Sequence, residues 1–154
     1  MRALVQRVTQ ASVSVDGEVL GQIGPGLVVF VGIAQSDGQG EIEYIVSKIV
    51  NLRIFTDTEG RFNLSALDLG VELLVVSQFT LYGDTRRGRR PSFSRAAAPD
   101  EAAALFSDTL DVFQDTGLTV QTGRFQANMN VTIHNDGPVT IMLDSDDRNR
   151  PRRG

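Results

Sequence analysis

Two short segments of this 154-residue sequence place polar side chains or an unusual backbone where chemistry could occur. Ser77-Gln78-Phe79-Thr80 sets two hydroxyls and a carboxamide near the end of an apolar run, Glu72 to Tyr82. A serine or threonine attacks only with a base beside it, and His134 is the one histidine on offer. Its neighbours argue against that use. Met129, Val131 and Ile133 alternate with Asn128, Asn130, Thr132 and His134, so a strand here turns the imidazole away from the apolar side. Hydroxyls at strand ends also satisfy nearby backbone groups, and the residues alone leave a catalytic and a structural reading of Ser77 to Thr80 open.

The second segment is Asn135-Asp136-Gly137-Pro138. Asp-Gly between two strands favours a hairpin turn. Pro138 complicates that expectation, because a residue without an N–H cannot close the ladder, and a carbonyl before it takes an uncommon direction when the bond is cis. Asp144, Asp146 and Asp147 could be imagined around a hard cation, but closely spaced acids near a chain end are ordinary solvated surface. With one histidine and no cysteine, neither a metal site nor a cofactor is expected.

The elements that would position these segments follow from periodicity. Met1 to Val15 reads as a strand, Asp16-Gly17 as a hairpin turn into Glu18 to Ile23, and Leu27 to Ala34 as a central strand buried on both faces. Ile42, Ile45, Val46, Ile49 and Leu52 recur at helical spacing, with Asp37 or Gly38 before the start. A short strand near Arg53 to Thr56 and a turn at Asp57 to Gly60 lead to the strand Glu72 to Tyr82. Gly83 to Ala98 is an arginine-rich loop, and Pro99-Asp100-Glu101 opens a second helix that Gly117 stops. Leu118 to Thr122, Ala127 to His134 and Val139 to Leu143 read as three closing strands. The pattern predicts one α+β domain with mixed, largely antiparallel sheets, followed by a flexible arginine-rich tail over 145–154.

Composition narrows the classes. The absence of cysteine removes disulfides and thiolate chemistry and fits a cytoplasmic location; no export signal is read at the start and no apolar run is long enough to span a bilayer. Gly24-Pro25-Gly26 precedes a strand, whereas a nucleotide-phosphate loop precedes a helix. Net charge is −4, yet Arg86, Arg87, Arg89, Arg90 and Arg95 share one loop and Arg148, Arg150, Arg152 and Arg153 share the tail. Arginine suits bidentate phosphate contacts, and it also decorates solvated surfaces.

Ser77-Gln78-Phe79-Thr80 and Asn135-Asp136-Gly137-Pro138-Val139-Thr140, in that order, resemble the D-aminoacyl-tRNA deacylases. The likeness extends over Met1 to about Asp144: Arg2-Ala3-Leu4-Val5-Gln6-Arg7-Val8, Ile23-Gly24-Pro25-Gly26-Leu27, Arg90-Pro91-Ser92-Phe93 and Thr122-Gly123-Arg124-Phe125 also look like the family. Gln126 departs from it, standing where a small residue is usual, and the tail beyond Asp144 extends past the usual end.

The resemblance implies a three-layer α/β/β fold over residues 1–144 and a homodimer with its active sites at the interface. Ser77, Gln78, Phe79 and Thr80 would form the catalytic segment of one subunit, and Gly137-Pro138 of the other would enter as a cis pair that selects for handedness. Phe125, Met129 and Asn135 would bind the substrate, with Phe125 stacking on the terminal adenosine. The implied reaction is hydrolysis of the ester of D-aminoacyl-tRNA, and of glycyl-tRNA(Ala), releasing free amino acid and tRNA as chiral proofreading. An aminoacyl ester is already activated, so backbone amides around Phe79 and Thr80 as an oxyanion hole, with water positioned by the tRNA 2′-hydroxyl, could suffice. The alternatives are attack by Thr80 and a catalytically inactive tRNA-binding homologue.

Overall fold

Alternation along the first strand shapes the whole molecule. A computed structural model describes residues 1–151; Arg152 and Arg153 of the expected tail lie outside them. Strand β1 (Arg2–Val15) buries Ala3 and Val5 in one hydrophobic cluster, and Val8, Ala11 and Val13 in another. Register irregularities between Gln6 and Gln10 mark where the strand passes from one cluster to the other. Asp16 and Gly17, with φ of 49° and 81°, make the tight turn into β2 (Glu18–Ile23), the two positive angles that a right-twisted hairpin requires.

Strand β3 (Gly26–Gly32) lies antiparallel to the first half of β1 and is buried on both faces, as its continuous apolar run predicts. A Cβ at Gly26 would overlap the Glu72 carbonyl, so glycine is what lets the backbones of β3 and its parallel neighbour approach. Helix α1 (Gln39–Asn51) begins at Gly38, whose N–H donates to the Glu41 carboxylate at 2.9 Å, and buries Ile42, Ile45, Val46 and Ile49. A small hairpin of β4 (Phe55–Thr56) and β5 (Phe62–Leu64) follows, then the single turn α2 (Ala66–Leu69). Strand β6 (Glu72–Ser77) runs parallel to β3, helix α3 (Pro99–Asp115) starts with Pro99, and β7 (Val120–Thr122) runs parallel to β6. Strand β8 (Asn130–Asp144) takes one edge of β1 along its length, while β3 and β2 share the other edge.

The layers follow from the two clusters. α1 and α3 cover one face of β3 and β6 through Leu27, Val29, Leu73 and Val75. The far half of β1, with β2 and the start of β8, covers the other face through Val28, Leu74 and Val76. The domain is therefore α/β/β with its helices on one side. Among the described residues no helix is long and apolar enough to cross a membrane.

Three expectations change. The apolar run from Glu72 ends as a strand at Ser77; Gln78 turns the chain (φ −148°, ψ 81°), and Phe79–Tyr82 forms one turn of 3-10 helix. The two last closing strands are one strand, and residues 135–138 are no hairpin, because both limbs pair antiparallel with β1. Between the pairs Val8↔Asn135 and Gln6↔Thr140, β1 advances two residues and β8 five, so the surplus loops out. Helix α2 is too short to show a period, and only its capping residues mark it in the sequence: Ser65 Oγ accepts from Asp68 N–H at 3.1 Å, and the Asp68 carboxylate accepts from Ser65 N–H at 2.9 Å.

The chain also stays bound beyond Asp144. Ser145–Asn149 forms a 3-10 turn, Ser145 is buried, and its hydroxyl accepts from the Met1 amino group at 2.6 Å. Arg148 pairs with Glu41 at 2.5 Å.

Candidate active site

The break at Gln78 is what opens a site. The N–H of Gln78 still donates to Val31 at 2.7 Å, closing the β3–β6 ladder. Phe79 and Thr80 then begin a 3-10 turn, and the first amides of any helix have no acceptor within it. Among the described residues, neither N–H donates to a backbone or side-chain acceptor. Two neighbouring main-chain donors are thus left free where the strand ends. The Gln78 side-chain amide donates to Thr80 Oγ1, so the Thr80 hydroxyl is held by a carboxamide, its one side-chain partner among the described residues.

A cavity of about 670 Å³ opens beside this segment. Ser77, Gln78 and Phe79 line one side; Phe125, Gln126 and Met129 line another. Its volume lies within the range of small-molecule sites, and its largely apolar wall with a few carboxamides suits an aromatic ligand with polar edges. Phe79 is 59% exposed, and its ring meets Phe93 edge-to-face at 4.9 Å between centroids. Phe125 packs against Phe106 of α3 at 5.9 Å. A Cβ at Gly123 would come within 2.5 Å of the Met129 sulfur, so that glycine lets Met129 lie where it borders the cavity. Gln126 stands at φ +63°, a left-handed backbone unusual for a side chain of this size.

His134 lies elsewhere. Its ring nitrogen Nε2 is 3.2 Å from the Gln10 carboxamide on the exposed face of β1 and β8, as the alternation of that strand requires. No group of three or more His, Asp or Glu residues capable of holding a metal occurs among the described residues.

Asn135, Gly137 and Pro138 do not line the cavity of their own chain. They belong to the loop-out of β8, where Gly137 and Pro138 are exposed and joined by a cis peptide bond. The base of the loop is stapled. Asn135 Nδ2 donates to the carbonyls of Arg7 at 3.0 Å and Val139 at 3.1 Å, which makes its side chain an organiser of the loop. Val139 is buried in the main core.

Arg7 enters the sequence reading only within the family-like stretch Arg2 to Val8, with no role of its own. It is 8% exposed and donates through Nη1 to the Ile54 carbonyl at 2.7 Å; Asp136 Oδ2 lies 3.2 Å from its Nε, and its guanidinium sits 5.5 Å from the Phe62 ring centroid. A Cβ at Gly137 would come within 2.8 Å of Arg7 Nη2. Glycine is needed at 137 both for its φ of +118° and for this close cation. The only sequence signal for Arg7 is a charge on β1 at a position where burial is expected.

Fold and cleft together define an α/β/β domain with two unpartnered main-chain amides where a strand ends beside a cavity. The chain belongs to the D-Tyr-tRNA(Tyr) deacylase family, whose model matches residues 4–144. It is 58% identical to a protein of Dehalococcoides mccartyi named D-aminoacyl-tRNA deacylase, over 99% of this chain and 100% of that one. A protein of the same name from Carboxydothermus hydrogenoformans is 55% identical over 94% and 99% of the two chains. The solved structure of a c-Myc DNA Unwinding Element Binding Protein superposes with a TM-score of 0.89 at 43% identity, covering 94% of this chain and 98% of that one. That of a probable eukaryotic D-amino acid tRNA deacylase shares the fold at 20% identity, with a TM-score of 0.80 over 92% and 97% of the chains.

Proposed function

We propose that the protein hydrolyses the ester bond between a D-amino acid and the 3′ end of tRNA, with glycyl-tRNA(Ala) as a second substrate, and releases free amino acid and tRNA. The observation that carries this reading is the pair of unpartnered amides at Phe79 and Thr80 beside the cavity. As the carbonyl carbon becomes tetrahedral, its oxygen takes up charge, and two fixed N–H donors stabilise that charge without reorganising. Water is the nucleophile, and the 2′-hydroxyl of the terminal adenosine orients it. The adenosine occupies the cavity against Phe125 and Met129, and Ser77 and Gln78 hold the segment in shape. Attack by Thr80 is disfavoured because its hydroxyl is bonded to the Gln78 amide and no base adjoins it.

Selection for handedness falls to Gly137-Pro138 of a second copy of the chain. The pair is exposed and absent from its own chain's cavity, while Phe79 at the cavity mouth is uncovered; a two-fold dimer would bring the two together. Fixed backbone at 137 and 138 would bind the α-amino group and leave no room for the β-carbon of an L-amino acid. Glycine, having no β-carbon, would pass. Selection by rejection suits an enzyme that accepts many side chains. It would work where aminoacyl-tRNA is made and used, in the cytoplasm.

Incubation with D-tyrosyl-tRNA and L-tyrosyl-tRNA tests the activity: rapid loss of the D-ester alone is expected, and equal rates on both would refute it. A D-tyrosyl-tRNA ending in 2′-deoxyadenosine should be turned over at least about 100-fold more slowly, the worth of one well-placed catalytic group.

A further inference from the structure

The proposed reaction leaves one charged feature unused. Residues 85–91, Thr-Arg-Arg-Gly-Arg-Arg-Pro, form an exposed loop closed at its base by two backbone hydrogen bonds, Asp84 N–H to Ser92 O at 2.7 Å and Ser92 N–H to Asp84 O at 2.9 Å. Gly88 turns its tip with φ +68°. Asp84 neutralises Arg86 alone, through contacts of 2.5–3.0 Å. Arg87, Arg89 and Arg90 form no ion pair among the described residues. Three unneutralised guanidinium groups on seven residues contrast with a net charge of −4 for the chain.

The place of the loop matters as much as its charge. It leaves the 3-10 turn that presents the Phe79 and Thr80 amides, and it returns into Phe93, which lines the cavity and packs on Phe79. The loop is therefore fixed at both ends to the rim of the site. A ligand with a terminal nucleoside in the cavity and a chain of phosphodiesters leading out must pass this rim. Guanidinium groups are well matched to phosphate oxygens, and backbone contacts fix register without reading sequence.

We infer that Arg87, Arg89 and Arg90 hold the phosphodiester backbone of the RNA just behind its aminoacylated end. The inference rests on the proposed substrate, and it adds a binding surface to it. Each phosphate neutralised contributes to the salt dependence of binding, with a slope of about −0.7 per contact on single strands and −0.9 on duplex. Three contacts correspond to a slope of about −2 to −3.

The test is binding of uncharged tRNA to the full chain across a salt series, read by fluorescence anisotropy, for the wild type and the triple variant Arg87→Gln, Arg89→Gln, Arg90→Gln. Kd at 0.15 M salt is expected to rise at least about tenfold, and the salt slope to fall by about 2 to 3. The triple lysine variant, which keeps the charge, should hold the slope within about one. Hydrolysis of 3′-O-D-tyrosyl-adenosine, which has no phosphodiester, reports folding and chemistry apart from the loop, and it should be unchanged in both variants. Unaltered tRNA affinity and slope in the glutamine variant would overturn the inference, as would an equal loss on the minimal ester, which would tie the loop to the chemistry. Binding of uncharged tRNA does not depend on turnover, so a wild type that bound tRNA through the loop and spared every D-ester would refute the proposed reaction while upholding the loop.

Discussion

At Phe79 the main-chain and side-chain contributions can be separated. It is the first residue of a 3-10 turn, and Gln78 before it lies outside the helical region (φ −148°, ψ 81°), a setting that accepts proline. Phe79→Pro deletes the N–H and should lower kcat by about 100-fold, about 3 kcal/mol for one oxyanion donor. Phe79→Ala keeps the N–H and should stay within a few-fold of wild type; steady-state kinetics on D-tyrosyl-tRNA distinguish them. Gly137→Ala meets two obstacles, a φ of +118° and a Cβ within 2.8 Å of Arg7 Nη2 and 2.9 Å of Val139 Cγ2. It should cost about 1–3 kcal/mol in urea unfolding and abolish selective D-ester turnover. At this scale the sequence disclosed the polar segment Ser77 to Thr80, but not Arg7. A charge at an inward position of a strand says nothing of its partners until the carbonyl of Ile54 and the ring of Phe62 are brought to it from distant parts of the chain.

Elements with a single period were legible. The spacing of Ile42, Ile45, Val46 and Ile49 gave α1, and Pro99 with two acids gave the start of α3. What could not be read was pairing. Residues 130–144 carry a turn-like insert between two apolar limbs, and nothing local says that both limbs bind the same partner strand; β1 decides that. The arginine loop shows the same dependence on context, since its closing bridge joins Asp84 to Ser92 across residues with no strand pattern. Hydrogen bonds from the Arg86 side chain, then from its backbone N–H, hold the Asp84 carboxyl down at about 2. A folded value below the ordinary aspartate value of 3.8 means that this contact favours the folded loop above pH 3.8 and is lost as pH falls toward 2. Carboxyl carbon NMR should therefore show Asp84 titrating below 3.8, and Arg86→Gln should bring its midpoint back toward that value.

The molecule as a whole has its proposed catalytic amides and its proposed selector in separate places, and this sets a test of assembly. A Phe79→Pro chain keeps a good selector; a Gly137→Ala chain keeps good amides. Each homodimer should be inactive. If equal amounts are mixed and allowed to exchange, half of the dimers are mixed, and each mixed dimer has one intact site of two, so about a quarter of wild-type activity should return. Sedimentation of the mixture tests the proposed dimer, and no recovery despite exchange would mean that each site is built from one chain.

The excursion of β8 has a wider consequence. Its two ends are sewn to a single template strand, by Asn135 on one side and buried Val139 on the other, so the loop is held at its base while its tip stays exposed. On the proposed reading, stereochemical preference then rests on a few letters of the sequence that the sheet pairing does not use. A lineage that relaxed or reversed that preference would rewrite a tripeptide, and at Gly137 it would have to relieve the contact with Arg7 as well.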